Sequence, residues 1–386
     1  YFNNAGRQMR LLGESLKARY LELKGIPGVL PDGGYEGAYL IEVAQELMAE
    51  QPDLNEDEDV DLFKEFAEKS IFAIIKSSLN RIGVVHDVFY NERSLYEAGK
   101  IDEVLAILRE KGLLYDKDGA TWFKTTELGI EQDRVLVKSS GEPTYRLPDI
   151  AYHREKVARG FDLVVDIFGA DHIDAYPDVL SALKVMGLKN EHIQVVIHQF
   201  VTLLRSGEVV KMSTRKANFV TLDELIDEVG ADVVRYFYIM RSASSHLNFD
   251  LDLAKRQTEE NPVFYLQYAH ARISSIFRRA KERGLVADSQ NADLSLLNEE
   301  FTIALINSAI EFPEVIDHCR RSLEIHHLPS YLSELATALH KFYTEYKVID
   351  LENAELSRAR LALLEAVQIV LRNGLRILGI TAPEQM

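Results

Sequence analysis

Residues 134–200 alternate short apolar runs with helical stretches, and this alternation restricts the fold more than any other feature of the chain. The apolar runs, rich in Val, Leu and Ile, are 134–138, 162–168 and 194–197. The helical stretches between them are 148–159 and 174–186. Strands that alternate with helices favour a parallel sheet of the α/β class. Such a sheet binds ligands where its strands end at their carboxyl edge.

The pattern changes towards the C-terminus. A hairpin is predicted at 200–211, and Thr221 and Glu224 form a capping box at the start of the next helix. Beyond residue 255 only helical spacing recurs, in patterns at 301–318, 328–347 and 355–378 that follow a helix start at Asn261-Pro262. The chain is therefore predicted to divide into an α/β domain over 1–254 and an all-helical domain over 255–386.

Composition excludes several classes of protein. The 386 residues carry a net charge of −17, which argues against a protein that coats DNA. The single cysteine, Cys319, excludes a disulfide framework and a Cys-rich zinc site, and it favours the reducing cytoplasm. No apolar run is long enough to span a membrane. The acidic charge is uneven: residues 261–386 hold 13 Lys and Arg against 16 Asp and Glu, a net charge of −3 that leaves −14 for the rest.

A basic loop follows the predicted hairpin. Lys211-Met212-Ser213-Thr214-Arg215-Lys216 places three cations within six residues. Lysine as a point charge and arginine as a planar fork can wrap a polyphosphate, and this matters most where charge builds on a leaving pyrophosphate. On composition alone, an exposed basic loop without function is an equally available interpretation.

Two further segments carry polar groups close to predicted strands. Gly169-Ala-Asp171-His172 follows the run at 162–168, where a glycine admits a ligand to the backbone and Asp171 can accept from a ribose hydroxyl or an amine. The simpler alternative is a turn in which Asp171 caps the next helix. Tyr145 and Asp149 flank a predicted helix start, where an ionised carboxylate beside an aromatic ring suits a guanidinium. An ordinary helix N-terminal aspartate is the alternative.

The helical domain contains a mixed aromatic and cationic segment, 341–347. Tyr343 and Tyr346 are candidates for stacking on unpaired bases, although an aromatic stripe on a helix usually belongs to the core. Four histidines show no metal-ligand spacing, so no metal site is predicted; they are His270, His318, His326 and His327.

Common signatures such as a phosphate loop, a dinucleotide fingerprint or a nucleophile elbow are missing from the sequence. Instead, its segments together resemble the arginyl-tRNA synthetases, a family within the class I aminoacyl-tRNA synthetases. The segment 210–225 resembles the second signature loop of class I. The other segments that carry the resemblance are 3–8, 144–152, 169–172, 232–237, 245–254, 261–272 and 382–386.

This resemblance implies a nucleotide-binding (Rossmann-like) catalytic domain over 1–254, with an insertion at about 30–130, and an anticodon-binding helix bundle over 255–386. It implies that Lys211, Ser213 and Arg215 grip the phosphates of ATP. The residues implied to line the ATP and adenylate site are Gly169, Asp171, His172 and Met212. Tyr145 and Asp149 would hold arginine, with Gln8 at the edge of that pocket. Tyr343 and Tyr346 would lie near the anticodon.

The sequence departs from the family pattern in two ways. Thr214 stands where the family's loop usually has a second lysine, a charge that Arg215 or Lys216 is expected to supply. No His-x-Gly-His occurs, and that first signature motif normally precedes the region that matches Tyr1. The chain is therefore expected to lack the N-terminal part of the enzyme and to be inactive by itself.

The implied reaction is ATP-dependent joining of L-arginine to tRNA(Arg) through arginyl-adenylate. Magnesium would accompany ATP, and the enzyme is expected to be a cytoplasmic monomer that binds neither DNA nor membranes. A non-catalytic tRNA-binding remnant of a synthetase is the alternative from another class. A synthetase for another amino acid is a second alternative, and Asp149 argues against it because only a cationic side chain needs that carboxylate.

Overall fold

The computed structural model describes residues 1–4, 6–210 and 220–386, and these form two compact units. The N-terminal unit comprises Tyr1–Leu79 and Val84–Gln199 of the described residues, and the C-terminal unit comprises Asn80–Gly83, Phe200–Val210 and Val220–Met386. The predicted domain boundary at 254/255 and the insertion at about 30–130 remain predictions. The residues of 200–254 that the structure describes fall in the C-terminal unit.

The N-terminal unit contains helices and short strands in the order α1 (Arg7–Leu23), α2 (Tyr39–Glu50), α3 (Val60–Arg81), α4 (Arg93–Glu97), α5 (Lys100–Glu110), β1 (Leu114–Lys117), β2 (Ala120–Phe123), β3 (Arg134–Val137), α6 (Arg146–Ala158), β4 (Val164–Gly169), α7 (Tyr176–Val185) and β5 (Ile193–His198). Helices α1, α2 and α3 bury one apolar core, which includes Leu16, Tyr20, Leu40 and Phe63. Because Leu16 and Tyr20 are four residues apart, they share one face of α1.

Strands β4 and β5 form the parallel pair that the alternation predicts. Their register runs from Val164 opposite Ile193 to Gly169 opposite His198. Helix α7 is the crossover between them, as parallel pairing requires. The carboxyl end of β4 therefore lies at Gly169.

The prediction that 134–138 belongs to the parallel sheet is wrong. Strand β3 pairs antiparallel with β2, which in turn pairs antiparallel with β1. The turn between β1 and β2 has two residues with positive φ, Asp118 and Gly119, and such a turn suits a tight hairpin. Short connections of this kind produce antiparallel neighbours, whereas a parallel neighbour needs a long crossover.

The C-terminal unit contains β6 (Val201–Arg205), β7 (Glu208–Val209), α8 (Leu222–Val229), α9 (Ala231–Ile239), β8 (Leu247–Asp250), α10 (Leu251–Ala254), α11 (Pro262–Glu282), α12 (Glu300–Ile310), α13 (Phe312–Ser322), α14 (His327–Glu345) and α15 (Ala354–Leu378). The predicted hairpin is β6–β7, closed by Ser206 and Gly207, and β8 adds to β6 in parallel. The predicted capping box at Thr221 and Glu224 is confirmed.

Helices α11–α15 surround a continuous apolar core in this unit. Helix α14 contributes Leu332, Leu339 and Phe342, which have no exposed surface. On α15, a Cβ at Gly374 would stand 2.5 Å from Cδ2 of Leu332, so the glycine leaves room for that side chain. Within the described ranges, no helix has the length and apolar character needed to span a membrane.

Candidate active site

Helix α6 carries the first predicted site residues. It begins at Arg146, two residues before the predicted start, which leaves Pro148 in the first turn, where a missing N–H costs no helix hydrogen bond. The Nε of Arg146 donates to Asp178 Oδ2 over 2.7 Å, and Nε of Arg134 lies 3.1 Å from the same oxygen. Asp178 is only 1% exposed, so two guanidinium groups and a buried carboxylate fix the start of α6 against α7 and β3.

Tyr145 and Asp149 lie on either side of that anchored start. The Tyr145 ring is 55% exposed, and the Arg146 guanidinium lies 4.8 Å from its centroid. Asp149 is half-buried in the first turn of α6. Burial raises the pKa of Asp149 above its ordinary value, although the positive charges of His153, His172 and Lys156 act against this rise. Its carboxylate is therefore poorly solvated, which favours a cationic partner.

Glu92 is the main site residue that sequence reasoning missed. It lies just before α4 and is only 6% exposed. Burial raises its pKa, the hydrogen bond from Tyr1 opposes this rise, and the charge of Asp149 adds to it. The Tyr1 hydroxyl donates to Glu92 Oε2 over 2.5 Å. Nothing around Glu92 in the sequence marks it, because only the fold brings it near Asp149.

Aromatic rings pack around Tyr1, the residue whose hydroxyl bonds Glu92. The ring of Tyr152 lies 4.5 Å from that of Tyr1 and 4.7 Å from that of Tyr90. The Arg159 guanidinium lies 5.5 Å from the centroids of both Tyr90 and Tyr152, and the Lys156 ammonium lies 4.9 Å from that of Tyr152. Such rings exclude water and present negative faces to cations.

A buried hydrogen-bond network supports Asp149 from behind. His153 Nδ1 lies 2.8 Å from the carbonyl oxygen of Asp149, and its Nε2 lies 2.9 Å from Asp166 Oδ2. Because a carbonyl oxygen only accepts, the ring donates to it from Nδ1, and the Lys156 ammonium also lies 3.1 Å from Nε2. The Lys156 ammonium donates to the other Asp166 oxygen. Burial acts to raise the pKa of Asp166, but the hydrogen bond from His153 and the charge of Lys156 hold it below its ordinary value.

The Gly169–His172 segment lies at the carboxyl end of β4. Residues 170–172 form a single 3-10 turn, and the His172 ring stacks on Phe168 at 5.4 Å with an angle of 15°. A Cβ at Gly169 would stand 2.6 Å from Asp171 Oδ1, so the absence of a side chain leaves room for that carboxylate. Helix α7 begins only at Tyr176 and has no side-chain cap, so Asp171 is not its N-cap. The charge of His172 acts to lower the pKa of Asp149, so the two predicted regions are linked electrostatically.

The other predicted site residues either make different contacts or lie outside the residues that the structure describes. Gln8 is exposed on α1, and its side-chain oxygen accepts from the Tyr35 hydroxyl over 3.1 Å. Lys211, Met212, Ser213 and Arg215, with Thr214 and Lys216, lie outside the described residues. The roles of Gln8 and of this loop remain predictions.

Tyr343 and Tyr346 are both half-buried near the end of α14. The Arg272 guanidinium lies 5.4 Å from the Tyr343 ring, and burial raises the pKa of Tyr343 to about 12. The Tyr346 ring packs near Phe301 at 6.2 Å and near the Arg360 guanidinium at 5.2 Å. This packing gives both rings a structural role, and an additional role in tRNA binding remains a prediction.

Comparison with known proteins first defines the class. Residues 42–237 match the family model of class I tRNA synthetases (R), catalytic domain, and residues 266–386 match the DALR anticodon binding domain. The fold class predicted from the sequence, a class I catalytic domain followed by an all-helical anticodon-binding domain, is thereby confirmed.

Individual relatives then give the family. An arginine–tRNA ligase of Desulfotalea psychrophila is 54% identical over all of this chain and 70% of its own length. A crystal structure of a putative arginyl-tRNA synthetase from Campylobacter jejuni superposes with a TM-score of 0.90 at 30% identity, covering 100% of this chain and 84% of that one. The Thermus thermophilus arginyl-tRNA synthetase shares the fold, with a TM-score of 0.75 at 20% identity over 98% of this chain and 74% of that one. The chain belongs to the arginine–tRNA ligase family.

Proposed function

We propose that this chain charges tRNA(Arg) with L-arginine at the expense of ATP, and that Asp149 and Glu92 hold the arginine side chain. The observation that carries the proposal is the half-buried Asp149 together with the buried Glu92, whose carboxylate accepts from Tyr1 within a group of packed tyrosine rings. Burial raises the pKa of both, and the charge of Asp149 raises that of Glu92 further. A guanidinium relieves this repulsion, because its planar donors can bond two carboxylates at once.

The aromatic surroundings favour arginine over other cations. Tyr1, whose hydroxyl bonds Glu92, packs on Tyr152, which packs in turn on Tyr90, and a planar guanidinium stacks on such rings better than a compact ammonium. The protein's own guanidinium at Arg146 is engaged by buried Asp178. This engagement leaves Asp149 available for a ligand.

The reaction proceeds in two steps in this proposal. A carboxylate oxygen of arginine attacks the α-phosphorus of ATP. The P–O bond between the α- and β-phosphates breaks, and pyrophosphate leaves as arginyl-adenylate forms. The terminal ribose hydroxyl of tRNA then attacks the arginyl carbonyl, loses its proton, and releases AMP. No protein nucleophile is needed, since positioning and charge stabilisation suffice.

Each part of the chain has a role in these steps. The turn at Gly169–His172 lies at the carboxyl end of β4, where parallel sheets bind ligands, and is proposed to hold the nucleotide. Lys211, Ser213 and Arg215 are proposed to grip its phosphates, with Met212 beside them. Magnesium arrives with ATP as the metal–nucleotide complex, and no residue of the chain is assigned to it. We place the reaction in the cytoplasm, since the one thiol, Cys319, is free.

Asp149→Asn tests the arginine pocket because it keeps the side-chain shape and removes the charge. Loss of one partner from a buried ionic contact costs about 3–5 kcal/mol, so arginine half-saturation should rise by two orders of magnitude or more. The measurement is arginine-dependent ATP–pyrophosphate exchange with tRNA present, in the protein expressed from its complete gene. Asp162→Asn, at an exposed carboxylate, is the matched control.

The same assay has a pH readout. Because burial raises the pKa of Asp149, its carboxylate takes up a proton at a higher pH than an ordinary aspartate, so arginine affinity should weaken as the pH falls towards that range. This dependence should be shallower in Asp149→Asn. A change of half-saturation below about threefold would move arginine recognition away from Asp149. Absence of any exchange in the parent protein would favour the non-catalytic tRNA-binding alternative.

A further inference from the structure

Two histidines and a glutamate meet where α13 is followed by α14. His318 lies in the last turns of α13, Glu324 in the connection, and His327 is the first residue of α14. One ligand atom from each of the three residues lies within 4.8 Å of the other two. These residues are far from the carboxylate pair in sequence and belong to the C-terminal unit.

The backbone of the connection creates this cluster. Leu323 ends α13 in the left-handed region at a φ of 60°, a conformation that side chains other than glycine seldom adopt. The Leu323 N–H donates to the carbonyl of Cys319 over 2.9 Å, and the Glu324 N–H donates to Ser322 Oγ over 3.1 Å. The chain thereby reverses within a few residues, and the rings of His318 and His327 come to 4.6 Å between centroids.

The donor set selects a class of ion. Imidazole nitrogens suit zinc, copper and nickel, whereas magnesium and calcium prefer oxygen ligands. Within the described part of the chain, His327 is the sole ion-pair partner of Glu324, at 3.4 Å between His327 Nε2 and Glu324 Oε2. The neighbouring arginines, Arg320 and Arg321, are both engaged by Asp317. Among the described residues, no guanidinium therefore competes for the Glu324 carboxylate.

The distances are close to those that a zinc ion requires. Zinc bonds of about 2.0–2.1 Å in tetrahedral geometry place neighbouring ligand atoms roughly 3.3 Å apart. The 3.4 Å between His327 and Glu324 already matches this separation, and the His318 ligand atom, within 4.8 Å of both, belongs to an exposed side chain that can rotate towards them. Three protein ligands leave a fourth position for water. The Cys319 thiol is not in the cluster, since it is half-buried against the apolar core.

We propose that His318, Glu324 and His327 bind a divalent transition-metal ion of the zinc class, which links the end of α13 to the start of α14. The sequence does not reveal this site, because its three ligands lie six and three positions apart across the end of a helix. This spacing matches no familiar metal-binding motif. Binding requires no change of fold, since each side chain is at least partly exposed. The ion stabilises the folded state by linkage, because it binds the folded chain and not the dispersed ligands of the unfolded one.

The test is zinc titration by isothermal calorimetry of an untagged, chelator-treated protein expressed from its complete gene. The parent should bind one zinc equivalent that is lost in His318→Ala and in Glu324→Gln. Loss of a residue that only supports a ligand lowers metal affinity by roughly 10–100-fold. Loss of a ligand itself should lower the affinity of this site by at least that much. His340→Ala, at an exposed histidine on α14, is the matched control and should keep the equivalent. Magnesium at the same concentration should not compete.

A second readout is the melting temperature with and without zinc. Zinc should raise it in the parent and in His340→Ala, and the rise should shrink in the two cluster variants. Metal-free melting temperatures should agree among all four proteins, because the substituted side chains are exposed. Equal zinc stoichiometry and affinity in parent and cluster variants would overturn the proposal, as would a parent that binds no zinc.

Discussion

Helices α6 and α14 both carry predicted site residues, and they differ in what their buried faces hold besides apolar side chains. Helix α6 packs Leu147 and Ile150 into an apolar core but also buries ionisable groups: His153 is 3% exposed and bonds Asp166, which is itself 6% exposed. Helix α14 buries hydrocarbon, with Leu339 and Phe342 fully covered by the core of the C-terminal unit. Both segments have helical spacing of their apolar residues, so the difference in the side chains that they bury reflects the role of each helix.

The comparison shows how a site differs from a core in the same molecule. Buried ionic groups contribute little net stability compared with well-packed apolar groups, so their presence on α6 indicates a role besides folding. The tyrosines of α14, in contrast, lie at the edge of an apolar core and already have partners there. A polar cluster with raised carboxyl pKa values indicates function more strongly than an aromatic stripe does.

The largest expected effect comes from breaking the buried network of α6. Asp166→Asn leaves the Lys156 ammonium without its charge partner, which should cost about 3–5 kcal/mol of unfolding free energy. Arginine half-saturation should also rise, because Asp166 holds the ring that bonds the Asp149 carbonyl. Urea unfolding and ATP–pyrophosphate exchange measure the two effects, with Asp162→Asn as the control.

The pH dependence of stability sharpens this test. Since the pKa of Asp166 is lower in the folded chain than in the unfolded one, its contribution is complete at neutral pH and is lost as the pH falls below about 4. The parent should therefore lose more stability in acid than the variant does. A loss of stability with unchanged arginine half-saturation would make the network purely structural.

The next effect tests the opposite character of α14. Leu339→Ala removes a fully buried side chain and should cost about 2–5 kcal/mol of unfolding free energy through lost burial and a residual cavity. Arginine half-saturation should stay unchanged at temperatures where the variant is folded. Glu345→Ala, at the exposed end of the same helix, should stay within about 0.5 kcal/mol of the parent. A large rise in arginine half-saturation for Leu339→Ala would contradict the division of roles.

The sequence was sufficient for features that local chemistry determines. The β6–β7 hairpin, the capping box at Thr221 and the helix start at Asn261 follow from neighbouring residues, and each is confirmed. The place of Asp149 in the first turn of α6 was also predicted, because Pro148 is a local signal of a helix start, and its role in binding arginine stays a prediction. Long-range features were not accessible. The pairing partner of β3 depended on a hairpin that precedes it, and Glu92 gains meaning only through its approach to Asp149.

Tyr346→Ala should produce the smallest effect, a loss of tRNA affinity. It tests whether the end of α14 binds tRNA in addition to packing in the core. A stacked base contributes about 1–3 kcal/mol, so tRNA affinity should fall by that amount if Tyr346 contacts the anticodon. The Tyr346 ring already packs near Phe301 and Arg360, and replacing it also disturbs the fold. Tyr346→Phe separates these contributions, since it keeps the ring and removes only the hydroxyl that the Phe301 N–H approaches at 3.5 Å. Filter binding of tRNA to folded variants is the measurement. If both variants bind tRNA like the parent while only the alanine variant loses stability, Tyr346 belongs to the core alone.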